Sequence, residues 1–175
     1  MELVILVDEL DNELGTIEKM EAHKLGVLHR AFSVFIFDKE GRMLLQQRAL
    51  HKYHSGGLWT NACCSHPRPG TDTISAANQR LKEEMGFSAT LQKIFDFVYR
   101  APYDNGLTEH EFDHVLLGIY TGKITPNPSE VADFCFKPMD EIRESLQLHA
   151  NKYTAWFKIA FPKLEEYLAR NGQKF

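Results

Sequence analysis

Asp72-Thr73-Ile74-Ser75-Ala76-Ala77-Asn78-Gln79-Arg80-Leu81-Lys82-Glu83-Glu84-Met85-Gly86 is the stretch on which the reading of the fold turns. Ile74, Ala77, Leu81 and Met85 recur at the spacing of one helix face. Asp72 can cap the first turn, and Gly86 stands where a left-handed residue ends a helix. The pattern predicts a helix over 73–85. Its surroundings read as strands: Leu3 to Val7, and Thr16 to Lys19 after a connection through Asp8 to Gly15. Ala31 to Phe37 is a stronger strand that turns at Asp38-Lys39-Glu40-Gly41 into Met43 to Gln47 as a hairpin. Further strands follow at about Leu91 to Arg100, Glu111 to Gly122 and Ala132 to Lys137. Pro138 opens a short helix through Ser145, and a last helical segment runs from Thr154 toward Leu168, bent or broken near Pro162. Strands with a few helices between them and no regular βαβ alternation predict an α+β fold, a mixed sheet flanked by helices.

With 175 residues, 43% of them hydrophobic and 25% charged, the chain fits one compact domain over 1–175. No repeat, low-complexity tract or linker divides it; Thr125-Pro126-Asn127-Pro128-Ser129 reads as an internal loop. The net charge of -4 and the lack of any Lys/Arg run argue against a sequence-independent grip on nucleic acid. The apolar run at Leu3 to Val7 has no cationic leader and meets acids at Asp8 and Glu9, so it reads as a strand and not a signal peptide. No stretch approaches the ~20 apolar residues that span a bilayer, so no membrane insertion is expected. Three cysteines, Cys63 and Cys64 adjacent, do not make a disulfide framework, and reduced thiols suit a cytoplasmic protein. Oligomeric state stays open.

Eight histidines turn attention to metal chemistry. His23, His29, His66, Glu109 and Glu111 have ligand character and fall at strand or loop positions that could converge. In Glu109-His110-Glu111, strand alternation puts both carboxylates on one face. Buried side by side, they would be costly without a cation between them; at a solvated strand end they would simply meet water. Arg80 and Glu84, four apart on the helix, are either a surface pair contributing ~0.3–0.5 kcal/mol or a guanidinium for phosphate beside a carboxylate for Mg2+. Lys19, Arg48 and Lys52 are further cations able to close around a diphosphate. Both adjacent cysteines read equally well as inert, buried thiols.

Several segments follow one another along the chain: Thr16-Ile17-Glu18-Lys19 with His23, Leu28-His29-Arg30-Ala31-Phe32-Ser33, Gln47-Arg48, and Trp59-Thr60-Asn61 through Cys64-Ser65-His66-Pro67. Glu83-Glu84-Met85-Gly86, Glu109-His110-Glu111 and Tyr153 to Trp156 complete the series. Their order resembles that of the type I isopentenyl diphosphate isomerases over nearly the whole chain. Cys-x-His-Pro followed by Glu-x-Glu is specific to that family, whereas Glu-Glu-x-Gly alone marks the wider Nudix fold. A hydrolytic Nudix box would carry Arg-Glu before Leu81 and an acid near Thr71; this chain has Gln79-Arg80, as the isomerases do, which leaves a Nudix diphosphate hydrolase as the rival reading. The stretch Ser55-Gly56-Gly57 stands where Pro-Gly is common.

The resemblance implies a Nudix fold acting on a small diphosphate substrate, with two metal sites. His23, His29, His66, Glu109 and Glu111 would bind one Mn2+ or Zn2+, a donor set unlike that of a tetrahedral structural zinc. Glu84 would hold Mg2+ against the diphosphate, with Lys19, Arg48, Lys52 and Arg80 neutralising charge. It further implies Cys64 and Glu111 as the acid and base of an allylic proton shift, Tyr99 bonded near the carboxylate, and Trp156 facing the carbocation. Adjacent residues of an extended segment point to opposite sides, so only one of the two thiols can face the alkene.

Overall fold

A computed structural model of the chain describes residues 2–52 and 54–173. The elements run β1 (Leu3–Val7), β2 (Glu13–Glu18), α1 (Lys19–Leu25), β3 (His29–Phe37), β4 (Met43–Arg48), β5 (Trp59–Thr60) and β6 (Cys63–Ser65). They continue with α2 (Thr73–Met85), β7 (Leu91–Pro102), β8 (Thr108–Ile119), β9 (Val131–Lys137), α3 (Met139–Leu148), a 3-10 turn at Ala150–Lys152 and α4 (Ala155–Arg170). The predicted α+β architecture with a mixed sheet is the one observed. β3 lies at its centre, parallel to β8 from His29↔Glu111 to Phe37↔Ile119 and antiparallel to β6. The long β7–β8 pairing is antiparallel, and β4 joins β9.

Alternation along β3 divides the core. Phe32, Val34 and Ile36 pack with Ala77, Leu81 and Met85 of α2, while Phe35 and Phe37 pack with Phe157, Phe161 and Leu164 of α4. Each such side chain, fully withdrawn from water, contributes about 1.5–3 kcal/mol, which clamps a helix on either face. The same parity decides the chemistry. Ser33 shares the α4 face with Phe35; Glu109, Glu111 and Asp113 share it with Val115 on β8; Tyr99 of β7 stands directly opposite Glu111.

Helix α2 has the predicted bounds, with the Asp72 side chain accepting from Ser75 N at 3.0 Å. Gly86 is left-handed at φ 79, and a Cβ there would meet the Thr125 carbonyl oxygen at 2.3 Å, so the position excludes side chains twice over. Ile74 is 40% exposed and lies off the buried stripe.

Other expectations need correction. The strand expected at Thr16 to Lys19 ends at Glu18, whose side chain caps an unanticipated helix, α1, so Lys19 and His23 are helical. That helix has seven residues and is closed by left-handed Gly26, too short for its periodicity to register. The segment around Cys64 contains the short strands β5 and β6, paired with β4 and β3 respectively. Strand β8 starts three residues before Glu111 and stops at Ile119, since the tight turn between Tyr103 and Leu107 returns the chain directly from β7. Pro138 precedes α3 as its N-cap, and α3 continues past Ser145 to Leu148. Helix α4 runs through Pro162 to Arg170; packing of Phe161 and Leu164 outweighs the lost backbone bond. No helix among the described residues is long and apolar enough to cross a membrane.

Candidate active site

At the end of the sheet where β3 and β8 begin, α1, β3, β8 and the segment after β6 bring His23, His29, His66 and Glu111 together. Their ligand atoms all lie within 4.8 Å of one another. His23 donates Nδ1–H to the Lys19 carbonyl at 2.7 Å and His29 donates Nδ1–H to the Val27 carbonyl at 2.9 Å, which leaves each Nε2 as a lone pair directed inward. The Nε2 of His23 is buried without a hydrogen-bond partner among the described residues. His29 Nε2 and His66 Nε2 are 3.2 Å apart, and His66 Nε2 is 2.9 Å from Glu111 Oε1. Burial, with His66 adding to it, lowers His29 to about 4, and burial lowers His23, so both imidazoles are neutral donors at neutral pH. These are the requirements of a divalent cation site.

Glu109, expected in the same set, is gathered differently. Its Oε1 lies 3.3 Å from His54 Nε2, and its Oε2 accepts from Tyr103 at 2.7 Å and lies 3.1 Å from the Tyr99 hydroxyl. His23, His54 and Glu109 form a second group within 4.8 Å. Tyr99 donates to Glu111 Oε2 at 2.7 Å. The two carboxylates respond in opposite senses. Burial and the neighbouring Glu111 charge push Glu109 up, whereas for Glu111 burial is outweighed by the His66 hydrogen bond and the pKa falls. The pair therefore keeps Glu111 ionised.

A pocket of about 270 Å³ opens beside this cluster, with Cys64, Glu111, Tyr99 and Trp156 in its wall. β6 pairs Cys64 with Ser33 and Cys63 with Val34, so Cys64 faces the pocket while Cys63 is sealed in the α2 core. Cys64 Sγ donates to Asn61 Oδ1 at 3.2 Å and lies 3.4 Å from Ser33 Oγ, which itself donates to Asp113 Oδ2 at 2.6 Å. Burial and the Asp113 charge raise the Cys64 thiol, so it holds its proton.

Four cations, Lys19, Arg48, Lys52 and Arg80, line the same pocket. Arg80 Nε donates to Glu84 Oε1 and Arg80 Nη2 to Glu130 Oε2, both at 2.7 Å, and Lys52 donates to that same Glu130 oxygen. Lys19 lies 3.2 Å from Glu2, and the Arg48 guanidinium sits 5.2 Å over the Trp156 ring. Glu84 is buried and accepts from Gln46 Nε2 at 2.7 Å; burial raises its pKa against the pull of Arg80. The pocket thus gathers a thiol, a carboxylate and an aromatic ring with four cations and an interior carboxylate, groups able to serve as acid, base and anion-binding end.

The sequence-predicted residues line this pocket except His23 and His29, which are buried beside it within ligand distance of His66 and Glu111. Sequence reasoning missed His54, Ser33, Asn61, Tyr103, Asp113 and Glu130. For Asp113 a signal existed, since Glu109, Glu111 and Asp113 alternate along one strand face.

Residues 27–157 match the family model described as NUDIX domain. The chain is 49% identical over 156 residues to an isopentenyl-diphosphate Delta-isomerase of Serratia proteamaculans, covering 89% of this chain and 87% of that protein. It is 48% identical over 164 residues to one from Pectobacterium atrosepticum, covering 94% and 92%. Among solved structures, DR0079 from Deinococcus radiodurans superimposes with TM-score 0.75 at 14% identity over 93% of this chain and 98% of its own. A MutT protein from Methanosarcina mazei gives TM-score 0.66 at 15% identity over 84% and 96%. At such identities these two structures speak for the fold alone.

Proposed function

The chain belongs to the isopentenyl-diphosphate Delta-isomerases, enzymes on a Nudix domain that interconvert isopentenyl and dimethylallyl diphosphate, and from that premise we propose that Cys64 and Glu111 carry its proton shift. The observation that carries the assignment is that the Cys64 thiol and the Glu111 carboxylate both line one pocket, where burial raises the thiol and the His66 hydrogen bond lowers the carboxylate. Cys64 gives its proton to the terminal alkene carbon, and the π electrons form the new C–H bond, leaving a tertiary carbocation. Glu111 takes a proton from the neighbouring carbon, and that C–H pair becomes the new double bond. In the reverse direction the roles exchange. Tyr99, donating to Glu111 Oε2, orients the base. Trp156, whose ring position Arg48 helps fix, offers π density worth ~2 kcal/mol to a desolvated cation.

The partnerless Nε2 of His23 and the facing nitrogens of His29 and His66 fit a metal ion. His23, His29, His66 and Glu111, joined by Glu109, would hold one Mn2+ or Zn2+, and Glu84 would hold Mg2+ against the diphosphate. When bound, these ions neutralise the buried carboxylates and the substrate phosphates. Lys19, Arg48, Lys52 and Arg80, which line the pocket, bind the diphosphate end. Three unbridged cysteines suit a reducing compartment, and we place the enzyme in the cytoplasm.

Incubation with isopentenyl diphosphate and Mg2+ should yield an acid-labile allylic product without free phosphate. Phosphate release would assign a hydrolase instead, and binding without turnover would leave a diphosphate-sensing protein.

A further inference from the structure

His54 belongs to none of the motifs that the family resemblance rests on, yet its ring lies inside the site, 8% exposed. It stacks on Tyr103 at 4.9 Å and 20°, and meets Trp156 edge-on at 5.9 Å. Its Nε2 reaches Glu109 Oε1 at 3.3 Å, its Nδ1 lies 3.3 Å from Ser55 Oγ, and its backbone carbonyl accepts from Arg48 Nη2 at 3.3 Å. One residue therefore touches a carboxylate of the metal cluster with its side chain and a diphosphate cation with its backbone.

The group His23, His54 and Glu109 could itself be taken for a metal site, but it shares His23 with the larger cluster. His23 has one nitrogen to give, because Nδ1 is committed to the Lys19 carbonyl, and one lone pair serves one ion. A second ion would be left with His54 and Glu109 alone, fewer than the three protein ligands of even an open catalytic site. Like Glu109, His54 stands outside the group that His23, His29, His66 and Glu111 form within 4.8 Å, and its Nε2 lies 3.3 Å from Oε1 of that carboxylate. The contact His54 makes with the cluster is therefore read as polar support of a ligand.

We infer that His54 is a positioning residue for the metal centre: it donates Nε2–H to Oε1 of Glu109 and, with Tyr103 on the other oxygen, aims that carboxylate at the ion. The inference rests on the reading of Glu109 as a metal ligand. Residues that orient ligands in this way change metal affinity about 10–100-fold when removed. The stack on Tyr103 fixes the ring, so the donor is held before the ion arrives.

The test is the affinity of the full-length protein for Mn2+ and for Zn2+, by competition with a chelator, with metal-free unfolding midpoints as the folding control. H54F keeps the stacked ring and loses the donor; H54Q keeps an N–H donor and loses the ring. H54F should weaken both metals about 10–100-fold. H54Q should restore most of the affinity, and H54F should add little to E109Q, because the two act on one contact. Wild-type affinity in H54F with weakened E109Q would reduce His54 to packing and overturn the inference while the metal reading stands. Equal losses in H54Q and H54F, with one imidazole fewer in the X-ray absorption spectrum of H54Q, would make His54 a ligand and overturn it too. Unchanged binding in E109Q would remove the metal reading and this inference together.

Discussion

Cys63 and Cys64 stand on opposite faces of one three-residue strand, the first against the α2 core and the second in the wall of the pocket. Cys64→Ala should therefore lower turnover on the order of 10²–10⁴-fold, the range for a lost general acid. Cys63→Ala should keep most activity while costing on the order of 1 kcal/mol of stability, from the small void it leaves against Leu81 and its neighbours. Steady-state rates and urea titrations of both variants check this. Full turnover in Cys64→Ala would remove the acid from this strand.

The two groups of side chains predict two separable metals. The purified protein should retain about one transition ion through gel filtration, by elemental analysis, with Mg2+ exchanging freely. His66→Ala should lose the retained ion, because that imidazole contacts both His29 and Glu111. Glu84→Gln, across the pocket, should keep it and raise the Mg2+ concentration needed for half-maximal rate. An unchanged Mg2+ requirement would move Mg2+ to other ligands.

The β3–β4 hairpin predicts a pH signature remote from the site. Burial pushes the Asp38 carboxyl up, but hydrogen bonds from Arg42 and Glu40 and the Arg42 charge outweigh it, and the pKa falls. The folded state then protonates Asp38 at lower pH than the unfolded chain does. The stabilisation is complete above the ordinary carboxylate value of about 3.9 and is lost as pH falls through the folded value. Asp38→Asn should cost about 0.5–1.5 kcal/mol at pH 7, and the gap to wild type should close in acid. A gap that persists undiminished at low pH would assign the effect to packing.

Gly86→Ala should destabilise the fold by about 1–3 kcal/mol, through both the positive φ and the clash with the Thr125 carbonyl. Urea unfolding measures it. Because the same helix carries Arg80 and Glu84, diphosphate affinity should fall alongside.

How far the molecule could be read from its residues depends on the range of the physics involved. Helix α2 was legible to its ends because Asp72 and Gly86 act within a turn of themselves. The separation of Cys63 from Cys64 was legible because alternation in an extended chain is local. Helix α1 was not: seven residues hold too little periodicity, and Glu18 works as a cap only after the chain has bent. Asp113 was available from alternation with Glu109 and Glu111, but its partner Ser33 comes from another strand. His54 and Glu130 announce nothing locally. Glu130 meets Arg80 across 50 residues and Lys52 across 78, contacts that exist only once the sheet is assembled. The grouping of His23, His29, His66 and Glu111 came from family resemblance, since no single-chain spacing joins them.

The parallel pairing of β3 with β8 acts as a reading frame for the chemistry. Its register sets His29 beside Glu111 and Ser33 beside Val115. Adding or deleting one residue near the start of either strand would leave composition almost untouched and turn the polar row into the hydrophobic layer, trading both functions at once. A shift of two would preserve inside and outside but slide one row past the other by about 7 Å, bringing His29 abreast of Glu109 or Asp113. Length changes in these two strands are thus frameshifts of function, whereas the turn between Tyr103 and Leu107 lies outside the frame and is where inserted sequence could be carried without rewriting it.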